Sequence, residues 1–320
     1  MKKAIRITGK IILWIFVTII GLLLISALSH NILKSMEKHK YKIGKTIDID
    51  GKHMQAYVTG QGEKTIVLLS GLGTASPIAD FMPLADRLGT DYKVVILEYF
   101  GYGFSDSTKA ERSNENIVNE IRTALNQLEI KGPYILMPHS ISGVYSMYYA
   151  IKYPDEVEAI IGIDESVPNQ TKISKDPDMS HSLTLLNTFG IIRDITYLLP
   201  EAEDGSNKNN DYTQEQIKIK KMATAWNSLN ESIINEFNMV NKNTEELYDV
   251  KYPDHLPVLA ILAKETVDTD KNWLPLHQQL ITSPSIQKIE TLPGEHYLHW
   301  TNAGRIAELS KEFISANLTK

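Results

Sequence analysis

The chain has 320 residues, 42% hydrophobic and 22% charged, which fits one large folded domain with an appendage and excludes disordered, collagen-like or coiled-coil organisation. Its formal net charge is -6 and no basic stripe occurs beyond the first 45 residues, so nucleic acid is excluded as the main partner. There is no cysteine, which removes disulfide staples, thiolate zinc sites and a cysteine nucleophile together.

The first segment to depart from the average is Ile11 to Ser29, IILWIFVTIIGLLLISALS, uncharged and preceded by Lys2, Lys3, Arg6 and Lys10. As a helix it is roughly 28 Å long, close to the ~30 Å hydrocarbon thickness of a bilayer. Two readings compete: a retained membrane anchor over residues 1–30, or a secretory signal cleaved near Ala27-Leu28-Ser29. Length favours the anchor. Lys34, Lys38, Lys40 and Lys42 balance the positives before the segment, so flanking charge does not orient it. Moving a short basic tail across a membrane is unfavourable, whereas a long following domain crosses largely regardless of charge. The expected arrangement is therefore a single-pass membrane protein with its large domain extracytoplasmic. A linker is expected over 31–44, with Lys34 to Lys45 lying along anionic lipid.

Beyond the linker, KTIDID and HMQAYVTG flank Asp50-Gly51 and predict a β-hairpin. Short apolar runs follow at 65–70, 93–98, 133–137, 158–164, 257–263 and 286–292. Apolar on both faces and separated by helical stretches, they predict a parallel sheet covered by helices. Glu115 to Glu129 and Ser142 to Lys152 read as two of those helices. Residues 167–254 hold no convincing strand. Their apolar segments Leu183 to Leu199, Ile217 to Leu229 and Ile233 to Val240, with a polar loop at 201–211, predict a helical cap inserted between two strands.

Candidate chemistry lies at strand ends. YILMPHSISGVYSMYYA places Ser140 between an apolar strand and a helix, where a sharp turn projects a hydroxyl at the carboxyl edge of the sheet. A serine nucleophile requires a base. Among nine histidines, His296 stands on the loop after the last strand and can hang over the same edge, whereas His139 adjoins the serine and reads as packing. The acid that orients the imidazole has two candidates: Asp268 after PVLAILA, preferred, and Asp164 at the end of EAIIGID. Oxyanion donors are expected from the amides of Ile141, next after the serine, and of Leu72 in the Ser70-Gly71-Leu72-Gly73 turn. That turn lacks G-x-G-x-x-G and G-K-[ST], so a phosphate loop is excluded.

Taken together, LLSGLGT, EYFGYGFSD (Glu98 to Asp106), PHSISG and GEHYLHW resemble, in order and spacing, four segments of the α/β-hydrolase superfamily. The resemblance covers about 45–318. It implies a mostly parallel eight-stranded sheet with helices on both faces, a helical cap after strand six, and a serine, acid, histidine triad in that order. Ser70 replaces the usual histidine of the oxyanion turn, while Pro138 and Ser142 replace the elbow glycines. Serine rather than aspartate at the elbow speaks against haloalkane dehalogenase or epoxide hydrolase chemistry. The resemblance implies a carboxylic ester hydrolase that takes a small-molecule ester-like substrate and requires no metal or cofactor. The alternatives are a catalytically silent membrane-tethered binding module, a peptidase, or a carbon-carbon bond hydrolase with the same triad.

Overall fold

A computed structural model of the chain describes residues 2–175, 177–198 and 207–318. Of the expected segments, Leu199 and residues 201–206 of the polar loop lie outside the described residues.

Eight strands form one sheet: β1 Lys45–Ile49, β2 Lys52–Thr59, β3 Thr65–Leu69, β4 Lys93–Glu98, β5 Tyr134–Pro138, β6 Val157–Ile163, β7 Val258–Ala263 and β8 Gln287–Leu292. Their spatial order is β1-β2-β4-β3-β5-β6-β7-β8. The hairpin strand β2 runs antiparallel to β1 and β4, and every other neighbouring pair is parallel. The register aligns Leu68 with Met137 and Ile163 with Ile261, so the carboxyl ends of β3, β5, β6 and β7 form a common rim.

Alternation along these strands builds two cores. Val67, Val95, Leu97 and Leu136 face one side, where helices α3 Asn114–Gln127 and α4 Ser142–Lys152 cover them. Ile66, Val94, Ile96 and Ile135 face the other, packed against α2 Pro77–Leu88 and α11 His299–Asn317. Central strands buried on both faces need uniformly apolar residues, which explains why their runs stand out in the sequence.

Between β6 and β7 the described chain is helical: α5 Thr184–Thr188, α6 Ile191–Leu198, α7 Gln214–Asn227 and α8 Glu231–Glu245. The helix expected over Leu183 to Leu199 is broken at Gly190, whose φ of 73° suits a residue without a Cβ and which sits directly against the N-terminal helix. Two short helices, α9 Lys264–Thr269 and α10 Trp273–Leu280, join β7 to β8. The cap helices stand on the carboxyl rim. Asn227 and Asn230 donate to the carbonyls of Gly103 and Gly101 in the loop after β4, and Trp226 packs with Ala79 of α2.

The N-terminal helix α1, Lys2–Lys40, corrects the linker expected over 31–44. Residues 31–40 hold no glycine or proline to stop a helix. Tertiary contacts then hold it: Lys34 donates to the Trp226 carbonyl, while Glu37 accepts from the Trp226 indole at 2.6 Å and from Arg193 at 2.6 and 3.0 Å. Its apolar stretch projects from the domain with large side chains exposed, Trp14 at 68%.

Close packing at the start of α4 has a measurable consequence. A Cβ on Gly143 would lie 2.4 Å from the Ser166 carbonyl oxygen and 2.8 Å from the Glu165 Cβ. Gly143→Ala is expected to lower stability by about 1–3 kcal/mol, seen as a lower urea midpoint with an unchanged slope.

Candidate active site

Ser140 lies between β5 and α4 with φ of 52°, left-handed geometry that is costly for a residue with a Cβ. The surroundings enforce it. The Ser140 carbonyl accepts from the amides of Ser166 (2.7 Å) and Gly143 (2.9 Å), and the preceding amide of His139 donates to Leu69 at 2.9 Å. Pro138 and Ser142 fill the places where glycines were expected. Ser142 adapts by turning its hydroxyl inward to donate to the Ser70 carbonyl at 2.5 Å, 2.9 Å from the Tyr99 hydroxyl.

Three polar side chains, far apart in the chain, form one hydrogen-bonded run. His296 Nε2 lies 3.0 Å from Ser140 Oγ, and its Nδ1 lies 2.7 Å from Asp164 Oδ2. A carboxylate only accepts, so Nδ1 carries the proton and Nε2 is free to accept from the hydroxyl. Such a run can remove the serine proton and stabilise the imidazolium that results.

The acid meeting His296 is Asp164. Asp268 instead sits on the exposed face of α9 with both oxygens 2.8 Å from Lys264 Nζ. The reason is geometric: α9 begins directly after β7 and carries Asp268 more than a turn beyond the sheet edge, whereas Asp164 follows β6 immediately. Asp164 is fully buried and well supplied with donors. Oδ1 accepts from the Ala263 amide (3.0 Å) and the Trp273 indole (2.8 Å), and Oδ2 accepts from Thr266 (2.6 Å) besides His296.

The turn after β3 passes against Ser140. A Cβ on Gly71 would lie 2.9 Å from the Ser140 Cβ and 2.7 Å from His139 Nδ1. Among the described residues the amides of Leu72 and Ile141 have no backbone acceptor, while Gly73 donates to the Tyr102 hydroxyl at 3.1 Å. Tyr102 in turn donates to Glu236 of α8 at 3.0 Å, and Tyr145 donates to the other Glu236 oxygen at 3.1 Å. Burial raises the Glu236 carboxyl above its ordinary range despite the nearby Arg112 guanidinium.

A second buried cluster backs the histidine loop. His139 Nε2 lies 3.0 Å from the His296 carbonyl and so donates to it, and its ring packs 4.8 Å from that of His296 and 5.0 Å from that of His299. Burial, then the neighbouring imidazoles, hold His139 well below its ordinary value. His299 reaches Asp80 at 2.7 Å, which also accepts from the Trp300 indole at 2.8 Å and pairs with Lys220 of α7 at 2.9 Å. Burial alone would raise the Asp80 carboxyl; Lys220 and His299 outweigh it and hold the group below the ordinary range.

A family model described as the alpha/beta hydrolase fold matches residues 64–190. Epoxide hydrolase VrEH1 from Vigna radiata, a solved structure, superposes with a TM-score of 0.65 at 16% identity, over 86% of this chain and 98% of its own, a likeness of fold. The chain has the α/β-hydrolase fold. The Bacillus subtilis (strain 168) protein YbdG is 29% identical to this chain over 95% of its length and 97% of the relative. A 2-hydroxy-6-oxononadienedioate/2-hydroxy-6-oxononatrienedioate hydrolase of Escherichia coli (strain K12) is 32% identical over 105 residues, 32% of this chain and 36% of that enzyme.

Sequence reading passed over Tyr102, Tyr145, Glu236, Asp80, Lys220 and Trp273. Each acts through a partner dozens of residues away, so no local spacing marks it. Glu165, next to Asp164, is fully buried. Its carboxyl is sealed against Gly143 and Gly162, and among the described residues no side-chain donor reaches it. Burial, with the Asp164 charge adding, pushes it up to about 8 from 4.5. Below about 4.5 folded and unfolded chains both keep the proton. As pH rises from there to about 8 only the unfolded chain releases it, so stability declines across that window and levels off above it. The urea midpoint of Glu165→Gln minus that of the wild type should therefore increase from pH 5 to pH 8.5. A difference independent of pH would show that Glu165 is not held protonated.

Proposed function

We propose that this α/β hydrolase is a membrane-anchored serine hydrolase of a carboxylic ester, working through a covalent acyl-enzyme. The observation that carries the reading is the unbroken run of hydrogen bonds from Ser140 through His296 to Asp164, at 3.0 and 2.7 Å. His296 takes the serine proton as Ser140 Oγ attacks the ester carbonyl carbon, and the amides of Ile141 and Leu72 receive the oxyanion. Collapse of the tetrahedral species breaks the bond to the leaving alcohol, which takes the proton from His296. Water then attacks the acyl-serine with His296 again accepting a proton, and acid and serine are restored. Asp164 keeps the imidazole in its working tautomer. Hydrolysis as the reaction class is supported by the fold and by the activities named for the relatives.

Retention of the anchor is supported by the packing of α1. Ser26 donates to Asp194 at 2.7 Å and His30, Lys34 and Glu37 continue the same seam, so cleavage near Ala27-Leu28-Ser29 would cut through a packed interface. A carbon-carbon bond hydrolase is the second reading, favoured by the name of the Escherichia coli relative.

A fluorophosphonate probe is expected to label the wild type and to leave Ser140→Ala unlabelled; equal labelling would remove the serine from the reaction. Turnover of p-nitrophenyl acyl esters should fall about 10⁴-fold in Asp164→Asn, through loss of the correct tautomer. In Asp268→Asn it should stay within a few-fold of wild type, since that carboxylate is exposed and held by Lys264. Preference for the carbon-carbon substrate over every ester in the panel would favour the second reading.

A further inference from the structure

A groove of about 770 Å³ opens where the N-terminal helix leaves the domain, away from Ser140 and His296. Helix α1 and the residue after it contribute Leu33, Met36 and Tyr41, α6 contributes Tyr197 and Leu198, and α7 contributes Met222. Leu198 is 82% exposed and Tyr197 45%, which leaves α6 with an apolar edge in solvent. The carboxylates at the groove are already engaged: Glu37 by Arg193 and the Trp226 indole, Asp194 by Ser26. Lys40 and Lys218 differ. Among the described residues neither meets a carboxylate, and their ammonium groups lie 5.2 and 5.0 Å from the same Tyr41 ring. Two cations thus meet Tyr41 at one end of an apolar trough.

The trough continues into the apolar segment. Leu22, Ile25, Leu28, Ile32 and Met36 recur at three- and four-residue spacing, each at least half exposed, and draw one stripe along α1 to the groove wall. Met36 lies about 10 Å beyond Ser29 along the helix, and each polar layer of a bilayer is roughly 5–8 Å thick. The mouth of the groove therefore falls at the headgroup surface if α1 spans the membrane.

We infer that this groove binds an anionic phospholipid of the bilayer that α1 enters, its acyl chain along Met36, Tyr197 and Leu198 and its phosphate between Lys40 and Lys218. The inference rests on the anchor reading proposed above. It adds a lipid site on the cap, so that α6 rests in the interface rather than in water.

The absence of cysteine allows a direct test on the full chain. Leu198→Cys carries a bimane label and is reconstituted in vesicles of phosphatidylglycerol and phosphatidylcholine bearing bromine in mid-chain. Phe16→Cys, in the apolar segment, and Ile151→Cys, at the far end of α4, are labelled in parallel. At least twofold quenching is expected at 198 and at 16, with none at 151. Quenching at 16 without quenching at 198 overturns the lipid site and leaves the anchor standing; quenching at neither overturns both. Lys40→Glu with Lys218→Glu should lower quenching at 198 by phosphatidylglycerol to the level given by phosphatidylcholine alone. Equal quenching before and after that change would overturn the phosphate assignment.

Discussion

A carboxylate placed out of water where a parallel strand ends is the constraint on which the site depends. A buried anion is tolerated only with its oxygens satisfied, and Asp164 meets that requirement with donors from β7, α9, α10 and the histidine loop. Those four segments are thereby drawn to one point. The imidazole position follows, and the Ser140 hydroxyl meets its Nε2 at 3.0 Å. Ser140 is held there by a left-handed turn whose cost is offset by the packing around it.

The same economy governs the link between cap and sheet. Glu236 of α8 satisfies two tyrosines that have no water to turn to, and one of them holds the turn carrying Leu72. Lys220 of α7 reaches Asp80 and lies 4.5 Å over the Trp300 ring, in the helix that follows His296. The cap is tied to both halves of the candidate site, the turn carrying Leu72 and the histidine loop, by buried polar contacts. Breaking such a contact costs more than breaking a surface pair, because the remaining partner is left buried and alone.

How much of this was legible follows from which signals are local. The strands were readable because burial on both faces leaves uniformly apolar runs, and Ser140 because its strand and helix flank it directly. His296 was readable as the histidine placed just after the last strand. The acid was not settled in advance. Asp164 and Asp268 both follow apolar strands, and what separates them is a set of donors contributed by Ala263, Thr266 and Trp273, about 100 residues from Asp164, together with a helix start that carries Asp268 away. The linker over 31–44 failed for a related reason. A stretch rich in lysine reads as solvated chain, yet Lys34 and Glu37 spend their polar groups on Trp226 and Arg193, partners invisible to any window of sequence.

The paired tyrosines under Glu236 bear on how this protein could acquire new substrates. Replacing α7 and α8 as a block would remove Lys220 and Glu236, leaving Tyr102 and Tyr145 without their acceptor in a dry interior and Asp80 without its cation. Single exchanges on the inner surface of the cap that keep Lys220 and Glu236 are therefore expected to be tolerated, and block replacement is not.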